Sequence, residues 1–283
     1  MKIAYIILAH KLPEQLVRLV KKLNTDSASF LIHIDKKTDK ETYLKMVKPL
    51  SEYGNVRFLK RHLSNWGTFG CVQPVLDGIR EALSMQVDYG ILLTGQDYPI
   101  KSNEHIHKFF EESKGQSYFE YFALPDDAYS KRENGGMDRI DYWFLYFLGR
   151  PHKIFRRSFK TRRDLLRRYK LFGGSAYWCL TRSCLEFIDE YAHRGSNSLA
   201  FWKHTGNPDE LFFQTILLNS HFKDQIINDN LRYIIWPNYP SKHPEILRKQ
   251  DYERFVVTNK LFARKFDMTV DADVLDMIDA ATS

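Results

Sequence analysis

The first hundred residues switch between two hydrophobic rhythms. KIAYIILAH (2–10) is a continuous apolar run, the pattern of a parallel strand covered on both faces. After Pro13, the residues Leu16, Leu19, Val20 and Leu23 recur at i, i+3, i+4 and i+7, one stripe of an amphipathic helix. SFLIHID (29–35) and NVRFL (55–59) read as further strands, and Val72, Val75, Leu76, Ile79 and Leu83 mark a second helix. YGILLT (89–94) is a fourth strand. Strand and helix alternating through short connections predict an α/β fold, a mostly parallel central sheet with helices on both faces.

The rhythm loosens afterwards. A helix is expected from Ser102 and a strand at SYFEYF (117–122). A polar, Gly-containing loop then runs from Ala123 to Gly149 and ends in the aromatic cluster DYWFLYF (141–147). Order returns with a strand at SAYWCLT (175–181), helices near 183–193 and 208–219, and a strand at LRYIIW (231–236). LFARKFD (261–267) is a short strand or ordered loop. No repeat or low-complexity stretch interrupts the chain, so residues 1–283 read as one domain with a variable insertion and basic segment at about 123–170.

Composition narrows the class. At 43% hydrophobic and 27% charged over 283 residues, the chain is neither disordered, collagen-like nor a coiled coil. Its longest early apolar run, Ile3 to Ala9, is too short to span a bilayer and too poor for a signal peptide. Three cysteines (Cys71, Cys179, Cys184) without a CxxC pair, and no N-x-S/T sequon, point to a reducing, cytoplasmic setting.

Charge is concentrated. The chain carries +7, yet Arg150 to Lys170 holds ten Lys/Arg against Asp164 alone, a net +9, so the other residues sum to −2. That argues against a nucleic-acid-binding protein and for a local anionic partner. Phe155, Phe159, Leu166 and Tyr169 fall near one face if the segment is helical. Such a helix either lies on an anionic membrane, peripheral at its inner face, or packs on the core as a solvated element.

A parallel sheet binds ligands beyond the carboxyl ends of its strands, where His10, Asp35 and Asp97 fall. The absence of GxGxxG after the first strand, of a P-loop, of GxSxG and of HExxH removes dinucleotide oxidoreductases, P-loop NTPases, α/β-hydrolases and zincins. His33 and Asp35 share one side of a strand edge, but zinc needs three or four ligands. LTGQDYPI (93–100) turns Asp97 toward the cleft. At such strand ends metal-dependent nucleotide-sugar transferases carry D-x-D, whose carboxylates hold Mg²⁺ or Mn²⁺ on the diphosphate. Here Gly95 replaces the first acid, and the one literal D-x-D, Asp271 to Asp273, reads as a solvated turn.

In GNPDELFFQTILLNS (206–220), Asn207 suits an N-cap, Pro208 the first helical position and Glu210 a capping-box position. Helix capping alone therefore accounts for Asp209 and Glu210; the functional reading is a general base on a rigid helix start. Without a metal, cations must hold a diphosphate: Arg264 and Lys265 in LFARKFD, and Lys242 in SKHP (241–244), unless they are plain surface charges. Tyr142, Trp143 and Tyr146 either stack on sugar rings or pack in the core, and Arg139 is a candidate acceptor contact.

Seven strings taken together, in order, resemble one family: IAYIILAHK, HIDKK (33–37), SNWG (64–67), LTGQDYPIKS, GSAYWCLTR (174–182), PDELFFQTILLNS and LFARKFD. The chain resembles the Core-2/I-branching enzymes, the β-1,6-N-acetylglucosaminyltransferases and peptide O-xylosyltransferases. The resemblance implies a GT-A-type glycosyltransferase fold and inverting, metal-independent transfer from a UDP-sugar to a glycan or glycolipid hydroxyl, with N-acetylglucosamine the first expectation and xylose the alternative. It also implies that Glu210 is the catalytic base and that Lys265 and Arg264, with Lys242 upstream, grip the diphosphate. Asp35 and His10 then line the uridine site, and Asp97, Trp66 and Asp209 the donor/acceptor cleft. Animal members carry an anchor, a stem and disulfides absent from these 283 residues, which favours a bacterial cytoplasmic enzyme.

Overall fold

The apolar run at the start of the chain becomes the inner strand of a large sheet, as its double-sided hydrophobicity requires. The computed structural model describes residues 1–113, 115–126, 133–147, 150–194, 199–237 and 243–282. Twelve strands occur in chain order among them. They are β1 (Ile3–Ala9), β2 (Ala28–Ile34), β3 (Val56–Phe58), β4 (Tyr89–Thr94), β5 (Asp97–Pro99) and β6 (Ser117–Ala123), then β7 (Tyr142–Phe147), β8 (Arg150–Arg156), β9 (Phe172–Thr181), β10 (Ile226–Asn228), β11 (Arg232–Ile234) and β12 (Phe262–Arg264).

Seven of these form one sheet in the order β10-β6-β9-β4-β1-β2-β3. Four of its six pairings are parallel; β9 alone runs against both neighbours, β4 and β6. Side chains of β1 alternate between the two faces: Ile3, Tyr5 and Ile7 enter one core, Ala4 and Ile6 the other. The helices Pro13–Leu23, Lys40–Leu50, Asn103–Glu112 and Asp273–Ala281 close the first core, and Gln73–Ser84, Arg182–His193 and Phe212–Leu218 the second. This is the mostly parallel α/β sheet, clad on both faces, that the alternating pattern predicts. Ser102 caps its helix as expected, its hydroxyl accepting from the His105 amide at 3.2 Å.

Three expectations change. The aromatic cluster 141–147 is not loop: Tyr142–Phe147 is β7, paired antiparallel with β8. Because β8 takes Arg150–Arg156, the basic segment is strand before it is helix, and the helix is confined to Phe159–Arg168. Phe155, Phe159, Leu166 and Tyr169 therefore do not share one helical face. The helix 208–219 is also broken, into a short turn at Pro208–Glu210 and a helix at Phe212–Leu218. Asn207 lies in the left-handed region (φ 46, ψ 57) rather than the extended one of a usual N-cap, and its side chain caps nothing; its amide donates to the Gly67 carbonyl at 3.1 Å.

The literal D-x-D also finds a place. Asp271 accepts from the Val274 amide at the start of the last helix and from the Lys249 amide at 3.0 Å. It is a brace for that helix start. Among the described residues no helix is long and apolar enough to cross a membrane.

Candidate active site

The carboxyl ends of β1, β2 and β4 open into a cleft of about 610 Å³. His10, Asp35, Trp66, Tyr177, Asp209 and Arg264 all line it. Its floor is fixed by backbone: the Asp35 amide bonds to the Ala9 carbonyl at 2.9 Å, and the Gly95 amide to the Leu8 carbonyl at 3.0 Å. Asp35 accepts from the Lys37 amide at 2.8 Å, while the Lys37 ammonium donates to Asn65 Oδ1 at 2.9 Å in the loop carrying Trp66. His10 stands at the mouth. Partial burial, and the ammonium groups of Lys11, Lys37 and Lys265, hold its imidazole below the usual value, against the opposing pull of Asp35.

A second, three-stranded sheet in the order β11-β12-β5 brings LFARKFD to this cleft, with Arg264 directly opposite Asp97. Buried Gln15 locks the join by donating to the Gly95 carbonyl at 2.8 Å and the Phe266 carbonyl at 3.2 Å. Asp97 is fully buried. Its Oδ2 accepts from the Thr94 amide and hydroxyl at 2.6 and 2.5 Å and stands 3.5 Å from Arg264 Nη1. The Arg264 guanidinium lies 4.2 Å above the Tyr177 ring. Its Nε and Nη1 are buried without a hydrogen-bond partner among the described residues. Nη1 faces the Asp97 carboxylate, so Nε is the donor left without a counter-charge or hydrogen bond among the described residues on this cleft-lining cation, which suits an anion. Lys265 is half-buried beside it, and burial, then Lys11 and Arg264, press its ammonium below the usual lysine value.

The acidic pair arrives from the other side of the large sheet. Glu210 Oε2 lies 3.0 Å from Nη1 of Arg139, which is 1% exposed, whereas the glutamate keeps 28% of its side chain open. Asp209, next to it, has a buried Oδ1 without a hydrogen-bond partner among the described residues. Burial first, then the Glu210 charge, push the Asp209 carboxyl up to about 7. Two neighbouring carboxylates thus differ in role: one is ion-paired, the other is inclined to hold a proton.

Two assignments are corrected. Asp97 does not face the cleft; the Thr94 bonds turn it inward, where it faces Arg264. Arg139 does not face an acceptor, because it is buried behind Glu210 with its backbone carbonyl bonded to the Gly206 amide. Lys242 lies outside the described residues. No group of three His, Cys, Asp or Glu able to hold a metal ion occurs among the described residues. The sequence reading missed Gln15 and Tyr177: Gln15 occupies a helix position with no motif around it, whereas Tyr177 stands inside the GSAYWCLTR string.

A family model described as Core-2/I-Branching enzyme matches residues 3–256. Xylosyltransferase 2 of Rattus norvegicus is 26% identical over 299 residues, covering 98% of this chain and 33% of that protein. Xylosyltransferase 1 of Canis lupus familiaris is 25% identical over 302 residues, covering 98% of this chain and 30% of that protein. The chain therefore spans about a third of the length of the curated relatives it matches. Among solved structures, mannose-1-phosphate geranyltransferase from Thermus thermophilus aligns with a TM-score of 0.32 at 12% identity, over 71% of this chain and 67% of that one. That likeness is too distant to bear on the site. The matched residues include all seven strands of the large sheet and the Asp209–Glu210 turn and end before Arg264, and the chain belongs to the Core-2/I-branching enzyme family.

Proposed function

We propose that the chain is an inverting glycosyltransferase that moves a sugar from a UDP-sugar to a hydroxyl of a glycan acceptor without a divalent metal. One observation supports this reading: Asp209, whose neighbour Glu210 is ion-paired to buried Arg139, and the Arg264 guanidinium line the same cleft. Glu210 takes the proton of the acceptor hydroxyl as its oxygen attacks the anomeric carbon from the face opposite UDP, and the anomeric carbon–phosphate oxygen bond breaks. The base contributes about 10²–10⁴-fold. Arg264 and Lys265 hold the charge that grows on the leaving diphosphate, as preorganised cations. Asp35 and His10 offer polar edges to the uridine, and the exposed indole of Trp66 a flat face to a sugar ring. One transferase domain over residues 1–283, working at the cytoplasmic side of a membrane, belongs to the same proposal.

The donor sugar divides the reading. N-acetylglucosamine is what the family resemblance first suggests; xylose is favoured by the names of the relatives. UDP release from a panel of UDP-sugars, measured with and without EDTA, tests the proposal. One donor of the panel is expected to turn over, at the same rate in EDTA. Failure of every UDP-sugar to bind or react sinks the donor assignment, and activity lost on chelation but restored by Mn²⁺ sinks the metal-free claim.

A further inference from the structure

Of the fifteen large hydrophobic side chains exposed among the described residues, seven fall between Leu145 and Leu166. They stand on two adjoining elements, the β7–β8 hairpin and the helix Phe159–Arg168. Phe155 is 60% and Phe159 74% exposed, with Leu145, Tyr146, Phe147 and Leu166 also open. Exposed apolar side chains at this density call for a nonpolar medium. The overlapping segment Arg150 to Lys170 carries the net +9. Arg157 turns inward onto the His204 carbonyl at 2.6 Å and Arg162 onto Asp141 at 2.6 Å, while exposed Arg156 also reaches Asp141 at 3.5 Å. Arg150, Lys160 and Arg167 are exposed with no ion pair among the described residues.

We infer that the hairpin and this helix form a docking surface for an anionic phospholipid bilayer. A soluble polyanion would neutralise the cations and leave seven apolar side chains in water. A second copy of the chain would set +9 against +9, and an apolar protein partner would leave the cations unpaired. A bilayer with acidic headgroups answers both features at once, phosphates at the level of the guanidinium groups and the acyl boundary below them. The surface also lies beside the cleft. Pro151 packs on Gly67, next to Trp66, and the Phe144 ring packs on Gly206, just before the Asp209–Glu210 turn. Docked this way, the chain would hold its site at headgroup height, where a lipid-linked acceptor presents its glycan.

The test is co-sedimentation of the full chain with phosphatidylcholine vesicles, pure or containing about one-third phosphatidylglycerol. Binding about tenfold or more tighter to the anionic vesicles is expected, and it should weaken at high salt. Phe155→Ser/Phe159→Ser and Lys160→Glu/Arg167→Glu should each lose about tenfold in binding while melting near the wild-type temperature. Wild-type protein that stays in the supernatant, or binds both vesicle types equally, overturns the inference. So does a Phe155→Ser/Phe159→Ser variant that binds like wild type, which would make the segment a site for soluble polyanions. Sedimentation is read without turnover, so its failure is distinguishable from failure of the transferase reading.

Discussion

A glutamate works as a base only if its carboxylate is held still and aimed, and on the proposed reading the aiming of Glu210 falls to buried Arg139. Arg139→Ala should lower kcat about 10²-fold by loosening Glu210, with the donor KM unchanged, and Arg139→Lys should recover part of the loss. A raised KM with kcat intact would show instead that Arg139 touches substrate. Arg264 makes a different prediction, because its guanidinium lines the cleft and its proposed role is binding. Arg264→Ala should weaken UDP affinity about 10–100-fold in calorimetry, and an unchanged Kd would remove it from the diphosphate site. Asp209 links the site to stability. Its carboxyl titrates near 7 in the fold against 3.8 as its ordinary value, so the folded state binds the extra proton between those limits. Its contribution is therefore most favourable below pH 4 and is lost as pH rises toward 7. Asp209→Asn should melt higher than wild type at pH 8, and the gain should vanish at low pH. A gain independent of pH contradicts the assignment.

At the scale of elements, the site depends on a tether between two loops. Gly67 has φ +77, and a side chain there would press on Asn207 Oδ1 at 3.2 Å and on Pro151 at 3.3 Å. Gly67→Ala should cost about 1 kcal/mol or more and lower the melting temperature by about 2 °C or more, with a larger fall in turnover as the Asp209–Glu210 turn shifts. Unchanged melting and turnover would show that the tether is dispensable. The elements legible in the sequence are those whose burial writes a pattern. β4 occupies 89–94 as expected because every side chain but the last is buried. The helix Lys40–Leu50 buries only Met46 and Leu50 and leaves no stripe to read. The β7–β8 hairpin leaves consecutive side chains of both strands in solvent, so alternation never appears. Glu210 was legible through its motif, but its partner Arg139 stands 71 residues away, a distance local pattern does not cross.

At the scale of the molecule, two sheets divide the labour. The large one supplies strand ends to the cleft, and the small one delivers Arg264 to it. Charge follows the same division, with the cationic excess gathered on the hairpin and helix beside the cleft rather than spread over the surface. The central claim joins these parts: Glu210 takes a proton at a site where arginine and lysine hold the phosphates. Glu210→Gln, assayed for transfer and for UDP binding in the same preparation, tests it most directly. A fall in transfer of about 10²–10⁴-fold with UDP affinity unchanged is predicted, and turnover at the wild-type rate would contradict it.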